Sequence, residues 1–130
     1  MKYMLLINVP YAGGGYDYET WPPEAWQAHL DYLVRLNQGL VESGELVGVQ
    51  GLEPPAKARV VRAGRKPAVT DGPFPESKEF LAGFWTVDVE SAARACEIAA
   101  QASAAPGPDG APLGMPIEVR QVMGGPPPEA

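Results

Sequence analysis

The 130-residue chain is poor in the residues from which disulfides, metal centres and nucleic-acid surfaces are built. It has one cysteine, Cys96, and one histidine, His29. A single thiol cannot close an internal disulfide, which predicts a reduced, cytoplasmic setting, and no Cys and His spacing matches a structural zinc site. Positive charge is the minority: ten Lys and Arg against sixteen Asp and Glu leave a formal charge of −6. That balance repels polyanions and excludes binding of DNA, RNA or anionic lipid through a broad basic face. No apolar run approaches the roughly eighteen residues that a membrane-spanning helix needs. The stretch from Tyr3 to Val9 is interrupted at Asn8, stops at Pro10 and lacks a basic lead, so neither a signal peptide nor a membrane segment is predicted. The length suits one compact domain.

Glycine and proline, fifteen of each, punctuate what remains. Between residues 2 and 9, Tyr3, Leu5, Ile7 and Val9 share one face while Met4 and Leu6 share the other, the pattern of a central strand needing cover on both sides. Tyr11 to Tyr18 encloses three glycines and reads as a loop. Pro22 and Pro23 suit a helix's first turn, with Thr20 as its cap; Trp26, Leu30, Leu33, Leu36, Leu40 and Val41 then form an apolar stripe that ends at Gly44. Glu45 to Val49 is a strand. Residues 58–62 and 67–70 flank Ala63-Gly64-Arg65-Lys66 as a hairpin whose basic residues suit an exposed edge. Asp71-Gly72-Pro73-Phe74-Pro75 forbids helix and ladder alike and must turn. Phe84 to Val89 predicts a strand. Ser91 to Ser103 predicts an alanine-rich helix, capped by Asp88 or Ser91, with Ala92, Cys96, Ala99 and Ala100 toward the core. Ile117 to Val122 predicts a last strand after a Pro- and Gly-rich loop. Residues 1–123 make the domain and 124–130 a frayed tail.

The order β-α-β, hairpin, β-α-β predicts an α+β fold, a ferredoxin-like antiparallel sheet with two helices on one face. The opposite face is apolar and bare, which predicts a homodimer packed through it.

His29 lies three residues after Trp26 and four before Leu33, beside the apolar stripe. An imidazole there is a candidate general base if a neighbour fixes its tautomer; the structural alternative is a boundary histidine bonded to backbone or solvent. Asp71 is the candidate catalytic partner, crowded with Phe74, Glu76, Lys78 and Glu79 beside a rigid turn. Alternatively, its carboxylate only bonds the amides of that turn. Phe84 and Trp85 alternate on their strand, as core or dimer packing or as a ligand wall. Gly13-Gly14-Gly15 lacks the lysine and helix start of a phosphate loop, and with Tyr11, Tyr16 and Tyr18 around it suits a mobile lid. Tyr11, Phe74, Lys78 and Trp85 are the candidate substrate-binding residues, with Lys78 steadying an anion. A lone histidine and the lack of a dinucleotide fingerprint argue against metal, heme and flavin, so no cofactor is expected.

The stretch Asp71-Gly72-Pro73-Phe74-Pro75-Glu76-Ser77-Lys78-Glu79 resembles the signature of the DGPF family within the YCII-related proteins. The resemblance extends to Tyr3-Met4-Leu5-Leu6-Ile7, Gly44-Glu45-Leu46-Val47, Gly83-Phe84-Trp85 with Val87-Asp88, and Ile117-Glu118-Val119-Arg120, across residues 1 to 123. It implies a dimeric α+β barrel of ferredoxin-like subunits. His29, with Tyr32, Leu33, Leu36 and Gly44, resembles the histidine-bearing helix of YCII-type members, which implies a His and Asp active-site pair. Some members resemble small aromatic-ring lyases that remove chloride, with an aspartate in a glycine-proline motif after the helix. Here that stretch is Gly51-Leu52-Glu53-Pro54, without the aspartate, so Asp71 is the first expected partner of His29 and Glu53 the second. Members are also encoded beside, or fused to, extracytoplasmic-function sigma factors, which implies an accessory role.

Two functions follow. One is a cofactor-independent enzyme, of lyase or proton-transfer type, acting on a small aromatic substrate in a cleft between the first helix and the sheet. The other is a non-catalytic dimeric module that binds a small ligand or a sigma-factor-related partner through the Asp71 to Glu79 loop.

Overall fold

The computed structural model of the chain describes residues 1–10, 17–66, 68–72 and 78–124. Its elements run β1 (Lys2–Pro10), α1 (Pro23–Glu42), β2 (Leu46–Gly51), β3 (Arg59–Arg62), β4 (Ala68–Asp71), β5 (Glu79–Asp88), α2 (Ala92–Ser103) and β6 (Ile117–Gln121). The main sheet has the order β2-β5-β1-β6 with every neighbouring pair antiparallel. That is the ferredoxin-like arrangement, with β3 and β4 inserted as a hairpin whose strands, among the described residues, pair only with each other.

The period-two pattern of β1 decides which face is covered. Tyr3 and Leu5 are buried, and with Ile7, Trp85, Val87, Ile117 and Val119 they meet Ala95, Ile98, Ala99 and Ala102 of α2. The small alanines let the helix approach the sheet closely. Met4, Leu6 and Phe84 are half-buried on the opposite face, against which neither helix of the described residues packs. No helix among the described residues is long and apolar enough to cross a membrane.

Several local expectations are corrected. Thr20 does not cap α1: it closes a short 3-10 turn over Tyr18–Thr20 and donates its hydroxyl to the Asp17 carbonyl at 2.7 Å, and Pro22 precedes the helix without a side-chain bond. Gly44 does stop α1, at φ +79°, where a Cβ would be strained. Val41 is exposed, one step beyond the buried Leu40. Ser91 caps α2 by accepting the Arg94 N–H at 3.1 Å, whereas Asp88 bonds the terminal ammonium of Met1 at 2.9 Å, which lowers its carboxyl pKa. Ala92, Cys96 and Ala100 face solvent, because Ile98, the one large apolar side chain of that stretch, sets the buried phase together with Ala95 and Ala102. Finally, β5 begins at Glu79, well before Phe84.

An ion pair fastens the start of β2 to α2. Glu45 accepts from Nε and Nη2 of Arg94 at 2.9 Å each, in a two-pronged contact that is mostly shielded from solvent. The Arg94 hydrogen bonds, opposed by burial and helped by the Ser43 hydroxyl, hold the Glu45 carboxyl down to about 2 from an ordinary 4.5. The unfolded chain therefore takes up this proton near pH 4.5 and the folded chain only near pH 2. The contribution is complete above pH 4.5 and is lost as pH falls through that window, an effect of roughly 1–3 kcal/mol after allowance for solvent. Urea unfolding from neutral to acid pH checks this: the stability gap between the wild type and Glu45→Gln narrows as pH falls toward the lower value.

Candidate functional site

Trp26, His29, Leu33 and Asn37 lie at spacings of three and four and so share one face of α1. Toward its end α1 packs tightly through Leu40, but along its first turns this stripe stands off the sheet. The gap is a cavity of about 670 Å³ whose other wall includes Ile7, Val9, Val49 and Trp85. That volume suits a small organic molecule. Gly83 on the same wall lies so close to β2 that a Cβ would come within 2.8 Å of the Gln50 carbonyl oxygen, so only glycine lets β2 and β5 pair there.

His29 is only 2% exposed. Its Nδ1 lies 2.9 Å from the carbonyl oxygen of Pro106. A carbonyl can only accept, so Nδ1 carries the proton and, in the neutral ring, Nε2 carries the lone pair. Among the described residues Nε2 has no hydrogen-bond partner, and no buried side-chain polar atom is left without one, so Nε2 reaches the cavity. Aromatic rings hold the imidazole in place: Trp26 stacks on it at 5.4 Å and 14°, Trp21 meets it edge-on at 5.4 Å, and Tyr18 lies at 5.7 Å.

The Pro106 carbonyl is itself fixed by the loop between α2 and β6. Leu113 N–H bonds the Ala105 carbonyl at 2.8 Å, Gly107 N–H bonds the Ala111 carbonyl at 2.7 Å, and the Ser103 hydroxyl bonds the Met115 carbonyl at 2.6 Å. Met115 closes the floor of the cavity. At the other end, the Trp85 indole N–H donates to Oδ1 of Asn37 at 2.7 Å. Indole nitrogen only donates, so the Asn37 amide is oriented oxygen-first toward Trp85, and its NH₂ has no partner among the described residues.

The sequence-derived candidates divide accordingly. His29 and Trp85 line the cavity, and so does Glu53, the second expected partner. Asp71 does not: it ends β4, its side chain is 95% exposed, and its nearest ionic partner is Arg59 at 3.9 Å. The structure does not bring Asp71 to His29, because the ring's protonated nitrogen is already bonded to a backbone carbonyl and the hairpin carrying Asp71 stands outside the main sheet. Lys78 is exposed just before β5 and does not line the cavity. Tyr11 and Phe74 lie outside the described residues. Sequence reasoning missed Pro106, which acts through its backbone and leaves no side-chain signal. It also missed Asn37, whose signal was present as a polar residue eight positions after His29 on the same helical face. Among the described residues, no three of His, Cys, Asp and Glu gather into a metal-binding set. Asp71→Asn is expected to leave the nitrogen shifts of the His29 ring unchanged, and a nitrogen-resolved NMR spectrum of the single histidine checks it.

The model of the YCII-related domain matches residues 1–111. No curated protein matches the chain. With most of its length covered, the chain belongs to the YCII-related domain family.

Proposed function

We propose that the cavity between α1 and the sheet is the site of a cofactor-independent proton transfer, of tautomerase or lyase type, on a small aromatic molecule, with His29 as the base. The carrying observation is the buried imidazole whose tautomer is set by the Pro106 carbonyl and whose Nε2 opens into an aromatic cavity. Nε2 accepts a proton from a substrate carbon, the electron pair left behind passes to an adjacent carbonyl or expels a leaving group, and the Pro106 carbonyl stabilises the imidazolium that forms. The Pro106 carbonyl takes the orienting role expected of Asp71. Trp85 and Asn37 bound the inner end of the substrate. Hydrogen–deuterium exchange at the benzylic carbon of an arylmethyl ketone such as phenylacetone, followed by NMR, tests this: the protein accelerates exchange and His29→Gln does not. Equal acceleration by both proteins overturns it.

A second reading, a binding module, is favoured by the hairpin. Lys57, Arg59, Arg62, Arg65 and Lys66 concentrate positive charge on and beside it in a chain that is acidic overall, and Val61 and Val69 pair across it while exposed. An acidic partner, such as a sigma-factor-related protein, fits that surface. A pull-down with the wild type and an Arg62→Glu variant discriminates, since a partner lost with the charge reversal supports this reading. In both readings the half-buried Met4, Leu6 and Phe84 make the open sheet face a homodimer interface, which sedimentation of the wild type and Leu6→Glu examines.

A further inference from the structure

The cavity wall has a one-sided charge. Asp17, Glu19 and Glu53 all line it, and since all three are exposed they stand at its rim, the first two before α1 and the third after β2. All ten Lys and Arg of the chain lie among the described residues, and none lines the cavity. The ion pairs of the described residues engage Asp88, Asp71, Glu45 and Glu97, so neither Glu19 nor Glu53 is neutralised by one. Within the cavity, Nε2 of His29, which opens into it, is an acceptor as well. The walls add the rings of Tyr18, Trp26 and Trp85, whose faces are electron-rich.

We infer that this cavity takes its ligand as a cation: a small aromatic amine, with the ring against the apolar walls and the ammonium toward the rim carboxylates, while aromatic carboxylates are rejected. The inference rests on the reading of the cavity as the substrate site and supplies the charge class of that substrate. It replaces the anion expected at Lys78, because Lys78 is outside the cavity and the rim charges repel a carboxylate from two separate segments. The preference is electrostatic and only partly shielded, so salt weakens it.

Isothermal titration with phenethylamine, 2-phenylethanol and phenylacetate, which share a ring and differ in charge, tests the inference without requiring turnover. At low ionic strength phenethylamine is expected to bind roughly tenfold tighter than phenylacetate, with the alcohol between them. The ratio falls toward unity at high salt and is reduced by about threefold in Glu53→Gln, whose exposed side chain leaves folding untouched. Phenylacetate binding as tightly as the amine overturns the inference, as does a ratio indifferent to salt and to Glu53→Gln, or failure of all three probes to bind. His29→Gln separates the two proposals: loss of exchange catalysis with the amine preference intact is the joint expectation, and amine selectivity without any His29-dependent exchange sinks the catalytic reading alone.

Discussion

Replacing His29 by glutamine is expected to lower protein-catalysed exchange of a bound carbon acid by at least about a hundredfold, the usual contribution of a positioned base. Glutamine keeps an N–H that can donate to the Pro106 carbonyl, so the ring's structural bond has a substitute while its basic nitrogen has none. Fold and chemistry are thereby separated. A thermal melt close to that of the wild type, together with lost exchange, assigns the effect to Nε2. A variant that melts early and loses exchange in proportion assigns His29 a packing role instead. His29→Ala is the harsher companion, since it also removes the ring on which Trp26 stacks and against which Trp21 packs.

Trp85→Ala is expected to have the largest effect on stability, about 3–5 kcal/mol, in line with truncating a large aromatic in a close-packed core. Trp85 is 3% exposed, belongs to the same buried cluster as Leu5 and Val87, and faces α1 across the cavity. The conservative change separates its two roles. Trp85→Phe keeps most of the apolar contact and removes only the hydrogen bond to Asn37, so it costs about 1 kcal/mol, and it frees the Asn37 amide to reorient toward the cavity. Asn37→Ala leaves the buried indole N–H unpaired at a cost of about 1–3 kcal/mol. Urea midpoints of the three variants check the order, with Trp85→Ala the most destabilised and Trp85→Phe the least. Equal losses for both Trp85 variants would mean that the hydrogen bond, and not the packing, holds α1 at this end.

Much of the fold could be read from the sequence because contrast was strong there. Alternation in β1, the Pro22-Pro23 start and the Gly44 stop each have one mechanical reading, and the structure follows them. Where contrast was weak, the reading slipped. In α2 alanine occupies both faces, so its buried phase hangs on Ile98, and Cys96 turned out to be exposed. The site was half legible for a similar reason. A single histidine beside a tryptophan-bearing stripe marks His29, but no pattern tells which neighbour will hold its second nitrogen. Asp71 was conspicuous through its place before a glycine and a proline, yet it ends a hairpin strand outside the main sheet, and the bond went to a backbone carbonyl in a loop seventy-seven residues away from His29. Charge class was legible only after folding, since Asp17, Glu19 and Glu53 are brought to one rim by elements distant in sequence.

The most direct test of the site is the tautomer of His29. A two-bond proton–nitrogen correlation spectrum distinguishes the two ring nitrogens, and the chain's single histidine makes the assignment unambiguous. The expected result is a protonated Nδ1 and an unprotonated Nε2 whose shift moves when phenethylamine is added. A ring protonated at Nε2, or one averaging between both forms and indifferent to the amine, would contradict a base held by Pro106 and open to the cavity.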